Sequence, residues 1–227
     1  VQLSLIAIFL IIAYTVFNSI RKSEQNLVWV GLTKEAAHQL GTPISSLMGW
    51  LELIKLKFDA ENDETLLEME NDIQRLEVVA DRFSKIGSTP ILHNENVYKV
   101  IQDFIRYFSV RTSNKIKFEL IGDKHVEAQL NIPLFDWIIE NLLKNAVNAI
   151  VSEGQVTVKI SENIAKEEIF IDISDTGKGI HKSNFETVFQ PGFTTRKRGW
   201  GLGLSLTKRM VHYHQGQIFV KDSEVGK

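Results

Sequence analysis

The sequence contains no cysteine, few prolines and no excess of charge of either sign. Without cysteine, the chain can form neither a disulfide framework nor a thiolate metal site. Only four of its 227 residues are proline, and there is no low-complexity tract or internal repeat. The formal net charge is −2, so no nucleic-acid partner is expected, and any polyanion must be met by a local cluster of cations.

A full-length membrane span is also missing, although the first residues are almost wholly apolar. The run 3–17 is followed closely by Arg21 and Lys22, whereas a spanning helix needs about 20 apolar residues. Because the sequence does not begin with Met, we interpret residues 1–20 as the C-terminal part of a transmembrane helix, with the basic pair on the cytoplasmic side. A buried core helix and a signal-peptide core are the alternatives; a signal peptide would carry its positive charge before the apolar run.

Two stretches have apolar residues in alternating steps of three and four, which is typical of helices that pack against a partner. A polar turn, residues 59–64, separates them. The pattern predicts a helical hairpin, and a pair of hairpins forming a dimeric four-helix bundle would enclose more core than two helices can. The first stripe consists of Ala37, Leu40, Ile44, Leu47, Leu51, Ile54 and Phe58, and the second of Leu66, Met69, Ile73, Leu76, Ala80 and Phe83.

The residues Gly87–Pro90 break the helical pattern and mark a domain boundary. We assign residues 21–88 to a linker and the hairpin, and residues 89–227 to a second domain. That domain has mixed patterns, which predict an α/β sandwich with helices on one face of a mixed sheet. Helices are predicted over 97–110, after Pro133 and over 202–213, and strands over 116–121, 156–160, 169–173 and 217–220.

His38 follows Ala37 of the first stripe, so its side chain is expected about 100° around the helix, on the outer face. An exposed imidazole is largely neutral at cellular pH and keeps a lone pair that can attack phosphorus. Pro43 is unusual inside a helix, where proline costs about 3 kcal/mol, and it is expected to bend the helix beside His38. A solvated surface histidine is the alternative, and these residues alone do not decide between the two.

Three asparagines, Asn141, Asn145 and Asn148, recur at i, i+4 and i+7 on the polar face of the helix after Pro133. Asparagine is a poor helix former, so three on one face need a reason. Their side-chain oxygens suit Mg²⁺, a hard cation that also uses substrate phosphates and water as ligands. A merely hydrated helix face is the alternative interpretation.

Two glycine clusters follow. In 175–180, Asp-Thr-Gly-Lys-Gly-Ile, the Asp175 carboxylate can accept a hydrogen bond from the exocyclic amine of adenine, and the glycines let the backbone approach the base, although a simple tight turn has the same pattern. In 199–203, Gly-Trp-Gly-Leu-Gly opens the last helix, whose N-terminal amides favour a phosphate. This cluster is neither a Walker loop nor a good dinucleotide fingerprint. The basic stretch 189–198 between them suits a mobile lid over a triphosphate, or a disordered loop.

The segment 35–43, Glu-Ala-Ala-His-Gln-Leu-Gly-Thr-Pro, resembles the phospho-acceptor box of the sensor histidine kinases of bacterial two-component systems. Segment 140–146, Glu-Asn-Leu-Leu-Lys-Asn-Ala, resembles the asparagine box of that family, and 175–180 its first glycine box. Residues 189–208 resemble its phenylalanine and second glycine boxes. The boxes follow one another in the family's order from Thr33 to the end of the sequence.

The resemblance implies an ATP-dependent protein-histidine kinase that uses ATP and Mg²⁺. It implies autophosphorylation on His38 and transfer of the phosphoryl group to an aspartate of a response regulator, with a possible phosphatase activity. It also implies a homodimer at the bacterial inner membrane, with its catalytic region in the cytoplasm. The fold it implies is the helical hairpin of a dimeric four-helix bundle, followed by the catalytic ATP-binding sandwich shared with chaperone, mismatch-repair and gyrase ATPases. By the same resemblance, residues 89–227 are expected to be a C-terminally truncated form of this sandwich, since members of the family usually continue into one more strand.

By matched position, the resemblance gives His38, Gln39 and Thr42 catalytic roles and makes Asn145 the metal ligand. Thr42 would orient a water or the regulator group in the phosphatase reaction. The remaining positions are expected to contact the nucleotide: Asn141, Lys144, Asn145, Asp175, Gly177, Gly179, Ile180, Arg196, Lys197, Gly199, Gly201, Leu202 and Gly203.

The sequence departs from the family pattern at two functional positions. Gln39 stands where the family usually has Glu or Asp, and an amide cannot take a proton; Glu35 is a candidate substitute. Asn148 stands where a lysine is frequent, and Lys144 or the basic stretch could supply that charge. Two other functions therefore stay open: a phosphatase-biased or non-catalytic scaffold, and a conformational ATPase of the chaperone and gyrase type.

Overall fold

The computed structural model describes residues 2–85, 91–196 and 201–224. The chain divides into two compact units, residues 1–89 and 90–227. The predicted boundary residues 87–90 lie outside the described residues.

The first unit is a helical hairpin. Helix α1 runs from Gln2 to Phe58 and continues through Pro43, and α2 runs from Glu64 to Lys85. The turn between them is closed by Asp63, whose side chain accepts hydrogen bonds from the amides of Thr65 and Leu66 at the start of α2. The two stripes thus form a hairpin, as predicted. Among the described residues, no helix is long and apolar enough to cross a membrane.

Only every second position of each stripe is buried between the two helices. Ile44 and Leu51 of α1 pack with Ile73 and Ala80 of α2. Ala37 of α1 is also buried, and all five residues are less than 9% exposed. The alternate stripe residues stay about half exposed in the single chain, and an apolar row is left open along the hairpin. This row consists of Leu40, Leu47, Ile54 and Phe58 on α1 and of Met69 and Leu76 on α2.

Lys55 is a charged residue in the packed face of the hairpin, with only 8% of its surface exposed. Its Nζ lies 2.8 Å from Glu70 Oε2 across the hairpin and 3.5 Å from Glu52 Oε1 on its own helix. The hydrogen bond that Lys55 donates to Glu70 is the largest of the effects that raise the pKa of Lys55 above its usual 10.5, against a smaller opposing effect of burial. The ammonium is therefore held in its charged form.

The described residues of the second unit form three longer helices and two small sheets. The helices are α3 (Val97–Ser109), α4 (Ile132–Ala149) and α5 (Gly203–Tyr213). The strands are β1 (His93–Asn96), β2 (Ile116–Ile121), β3 (Glu127–Leu130), β4 (Gly154–Asn163) and β5 (Glu168–Asp175). Strands β1 and β3 pair antiparallel, while β4 lies between β2, to which it is parallel, and β5, to which it is antiparallel.

Alternation explains how this sheet meets its helices. Val156, Val158 and Ile160 of β4 are at most 2% exposed, because every second side chain of the central strand points into the core. Helix α4 contributes the fully buried Leu143, and α5 contributes Met210. This unit therefore has its own complete core, with the mixed helix and sheet layers that the sequence predicts.

The predicted helices of this unit and the strands β2, β4 and β5 are confirmed, but two details differ. The short strands β1 and β3 were not predicted. The strand predicted over 217–220 is wrong, since residues 217–224 form no regular ladder. Side-chain contacts hold this segment instead: Lys221 Nζ lies 2.9 Å from Asp172 Oδ2, and the Ile180 amide donates to Ser223 Oγ at 2.7 Å.

Candidate functional site

His38 is exposed on α1, next to the buried Ala37. Gln39 does not meet the imidazole; its Nε2 donates to Glu35 Oε1 at 2.7 Å. Thr42 is also exposed, one turn after His38, and its carbonyl accepts a hydrogen bond from Ser46 Oγ. The three residues with predicted catalytic roles thus share an accessible stretch of helix.

An open groove of about 970 Å³ runs between α1 and α2 beside His38. Carboxylates from both helices line it, namely those of Glu35, Glu77 and Asp81. Thr42 and Ser84 add hydroxyl groups to its walls. An open groove of this size beside His38, with both polar and apolar walls, can admit a group from another molecule.

The predicted asparagine face lies on α4. Asn131 caps the helix, because its Oδ1 accepts from the Leu134 amide at 3.2 Å. Three turns further on, Asn141 is half-buried, and its Nδ2 is buried without a hydrogen-bond partner among the described residues. A buried amide donor left unpaired costs about 1–3 kcal/mol, so a polar acceptor bound at this place would be favourable. Lys144 is engaged elsewhere, 2.6 Å from Glu140 Oε1.

The first glycine cluster forms a tight turn at the end of β5. Asp175 is exposed, and its Oδ1 accepts from the Gly177 amide at 2.8 Å. The Lys178 amide donates to the Ala149 carbonyl at 3.0 Å, which ties this turn to the end of α4. Gly179 has a φ of +72°, and a Cβ there would collide with the Glu224 carbonyl. Only glycine meets both requirements, so the turn brings Asp175 and Ile180 close to the end of the asparagine helix.

Helix α5 begins beside the asparagine face. A Cβ built on Gly203, its first residue, would lie 3.5 Å from Asn141 Oδ1. No side chain of a described residue caps this end, and the first amides of a helix have no partner within the helix, so they suit another acceptor. Gly201 precedes the helix with a φ of +65°, and its carbonyl accepts from the Gly192 amide at 3.0 Å. Leu202, between the two glycines, is half-buried.

Arg196 reaches the asparagine face from the basic stretch. Its Nη2 donates to Asn145 Oδ1 at 2.9 Å, although the two residues are 51 positions apart. The oxygen that was predicted to bind a metal is thus already in contact with a cation. Phe189 is buried near this stretch, with Lys208 Nζ 5.6 Å from the centre of its ring. Lys197 and Gly199, two further predicted nucleotide contacts, lie outside the described residues.

The structure therefore brings most of the predicted nucleotide residues together around the middle of α4, the β5 turn and the start of α5. Sequence reasoning missed two contacts here. The Thr176 Oγ1 accepts from the Gln155 amide at 3.0 Å, and the Ser223 Oγ meets Ile180. Neither has a local sequence signal, because the partners are far apart in the chain. Among the described residues, no group of three or more His, Cys, Asp and Glu side chains could hold a metal.

Comparison with known proteins supports this interpretation. Residues 131–227 match the family model described as histidine kinase-, DNA gyrase B-, and HSP90-like ATPase. Nitrogen regulation protein NtrY of Azorhizobium caulinodans is 24% identical over 90% of the chain, and sensor histidine kinase ZraS of Salmonella typhi is 28% identical over 89%. The chain spans only 28% and 45% of the length of these two relatives.

Solved structures share the fold. ShkA in complex with AMPPNP superposes with a TM-score of 0.65 at 18% identity, over 87% of this chain and 43% of that one. Histidine kinase ThkA in complex with the response regulator TrrA gives 0.57 at 20% identity, over 91% of this chain and 62% of that one. The matched family model and the named relatives agree with the order of the sequence motifs, and the chain is similar to bacterial sensor histidine kinases.

Proposed function

We propose that this chain binds ATP with Mg²⁺ in its second unit, transfers the γ-phosphoryl group to His38 and then passes it to an aspartate of a response regulator. One observation carries the proposal: the buried, unpartnered amide of Asn141 lies beside the uncapped first turn of α5. An orphaned donor and a row of free helix amides at one place fit a phosphate chain, which supplies acceptors to both.

The two ends of the nucleotide are assigned to different elements. Asp175 is exposed at the end of β5 and is suited to accept from the adenine amine, with Gly177 and Gly179 allowing the base to approach the backbone. Gly201, Leu202 and Gly203 present the amides for the phosphates. Arg196 supplies a positive charge on the same side.

The residues present also fit a magnesium ion. The Asn145 Oδ1 is the proposed protein ligand, since an amide oxygen suits a hard cation and this one already accepts from a guanidinium. Bound Mg²⁺ would neutralise charge on the phosphates. Asn145 would hold it together with phosphate oxygens and water, as expected where no cluster of carboxylates and imidazoles is found in the described parts of the chain.

The transfer itself needs little besides positioning. A lone pair of the neutral His38 imidazole attacks the γ-phosphorus in line, the bond to the bridging oxygen breaks, and ADP leaves with those electrons. The ring then loses its other N–H proton. Gln39 cannot accept that proton, and Glu35, which holds the Gln39 amide, is the candidate acceptor.

The named relatives extend the proposal to partners. ThkA is seen in complex with a response regulator, and the open groove at His38 has room for a loop or a few side chains of such a domain. The exposed apolar row of the hairpin supports a homodimer that forms a four-helix bundle. A location on the cytoplasmic side of a bacterial inner membrane belongs to the same proposal and rests on the apolar run before Arg21 and Lys22.

A phosphatase activity is the second candidate function. Gln39 is bound to Glu35 instead of meeting the imidazole, and Thr42 is exposed one turn away, free to orient a water. Rapid loss of phosphate from a phosphorylated response regulator, together with weak labelling of the chain, would favour this activity over the kinase.

Incubation of the chain with γ-labelled ATP and Mg²⁺ tests the proposal. We expect an acid-labile, base-stable label that is absent in His38→Ala and absent when Mg²⁺ is removed. His125→Ala, at another exposed histidine, is the matched control and should be labelled like the wild type. Labelling that persists in His38→Ala would refute the assignment of the acceptor, and ATP hydrolysis without any label would favour a conformational ATPase.

A further inference from the structure

His214 lies just after α5, six residues beyond the last predicted motif, and both of its ring nitrogens are engaged. The amide of Asn131 donates to its Nε2 at 3.1 Å, and its Nδ1 lies 2.7 Å from the Met210 carbonyl. The ring is half-buried and packs edge-on against Phe135, with centroids 6.1 Å apart. Its partners therefore come from α4 and from its own helix.

These contacts fix the protonation of the ring. A backbone amide can only donate, so Nε2 must be the bare acceptor nitrogen. The Met210 carbonyl can only accept, so Nδ1 must carry the proton. A charged imidazole would place an N–H against the N–H of Asn131. The structure is thus consistent with a single tautomer, the neutral Nδ1–H form.

Asn131 is the residue from which α4 starts. Its Oδ1 caps the helix through the Leu134 amide, and its carbonyl accepts from the Phe135 amide at 2.9 Å. Its Nδ2 donates to the Ile91 carbonyl at 3.0 Å. With the amide given to His214, every polar group of Asn131 is engaged, so the N-terminus of α4 has little freedom to shift.

The helices α4 and α5 are joined at two places that are equally spaced along both. The end of α5 meets the cap of α4 through His214 and Asn131, while the start of α5 meets the middle of α4 at Gly203 and Asn141. Ten residues separate the two asparagines and eleven separate Gly203 from His214, which is about 15–16 Å on each helix. The helices run antiparallel, and a shift at one joint is carried to the other.

We propose that His214 is a positioning residue for the nucleotide site: its neutral imidazole joins the end of α5 to the cap of α4 and so fixes where the first turn of α5 meets Asn141. The inference rests on the proposed binding of ATP at that turn. It makes His214 a determinant of phosphate affinity, about 15 Å away from the phosphates, without any contact to the ligand.

Two substitutions separate the two hydrogen bonds of the ring. In His214→Gln the side-chain amide reaches the position of Nε2 and can still accept from Asn131, but it loses the contact with Met210. In His214→Asn the shorter amide keeps a donor near the position of Nδ1 and loses the contact with Asn131. Only the Asn variant should therefore lose the hydrogen bond from the Asn131 amide that connects the end of α5 to the start of α4.

The experiment measures the affinity of the whole chain, in detergent, for ATP·Mg²⁺ and for adenosine by competition with a fluorescent nucleotide. We expect His214→Asn to bind ATP about tenfold more weakly and adenosine as the wild type does, because only the phosphate contacts depend on the start of α5. His214→Gln should stay within about twofold of the wild type for both ligands. Wild-type ATP affinity in the Asn variant, or an equal loss for both ligands, would overturn the inference.

A second measurement does not depend on the folding of any variant. The ¹⁵N resonances of the His214 ring in the wild type should show a protonated Nδ1 and a bare Nε2 at pH 7, and the opposite tautomer or a charged ring would also overturn the inference. Failure of the wild type to bind ATP at all would instead reject the proposed function, so the two failures are distinguishable.

Discussion

The two units of the chain differ in how completely each buries its apolar residues. In the second unit the central strand and helices α4 and α5 bury their large side chains almost fully, as with Leu143 at 0% exposed. In the hairpin, half of each apolar stripe remains open, and Leu40 and Leu47 are each 48% exposed. The second unit therefore has a well-buried core within one chain, whereas the hairpin leaves about half of its apolar stripes exposed to solvent.

The largest expected effect tests the completeness of the second unit. Leu143→Ala removes a fully buried side chain from α4, and we expect a loss of about 2–5 kcal/mol in the free energy of unfolding. This is a large share of the roughly 5–15 kcal/mol that stabilises a typical domain. Thermal or urea unfolding followed by circular dichroism measures it.

Leu40→Ala is the matched control on the hairpin, because the same atoms are removed from a half-exposed position. At low protein concentration, Leu40→Ala should lower the free energy of unfolding much less than Leu143→Ala does. Equal costs at every protein concentration would break the comparison, since they would mean that the hairpin alone already buries its open row.

The next expected effect concerns the open apolar row itself. Leu47→Glu places a charge where a second hairpin is proposed to pack, and a buried unpaired charge is strongly unfavourable. We expect this substitution to dissociate the proposed dimer into monomers. Analytical ultracentrifugation at micromolar protein concentration measures the change in mass. Leu56→Glu, at an exposed position on another face of α1, should leave the dimer intact. A wild-type chain that is already monomeric would show that the row is covered in some other way.

The smallest expected effect concerns the charge inside the hairpin. Because the pKa of Lys55 is raised in the folded chain, its ion pair with Glu70 stabilises the hairpin fully below the usual lysine pKa of 10.5. That stabilisation is lost as the pH rises through the raised value. The melting temperature of the wild type should therefore exceed that of Lys55→Met by a few degrees at pH 7, and the difference should shrink above pH 10.5.

A difference that stays constant into the alkaline range would show that packing of the lysine stem, and not its charge, stabilises this position. In that case the packed face of the hairpin would be stabilised mainly by apolar contacts, as the core of the second unit is.

Local periodicity explains why much of the fold could be predicted. Steps of three and four predicted both helices of the hairpin, and strict alternation predicted β4 and β5. Strand β1, His93–Asn96, carries no such signal, since its polar residues are ordered only by pairing with β3. Conversely, residues 217–220 are rich in apolar residues like a strand but form no ladder, and the contacts of this part of the chain are made by Lys221 and Ser223 just after them.

In the candidate site, too, some features could be predicted from the sequence and others could not. The asparagine face and the glycine turns are short motifs whose spacing is visible in the sequence, and the structure gathers them. The contacts of Arg196 with Asn145 and of His214 with Asn131 join residues 51 and 83 positions apart. No pattern within a window of the sequence can reveal such contacts, because they depend on how the elements pack.

The hydrogen bond between Arg196 and Asn145 has a consequence for how a nucleotide would enter. The guanidinium and a metal ion compete for one amide oxygen, so arrival of one cation means departure of the other. The released arginine keeps its positive charge and is then free to follow the triphosphate. Nucleotide entry would thus exchange one interaction of Arg196 for another. The hydrogen bond to Asn145 would be lost, and an ion pair with the triphosphate would replace it.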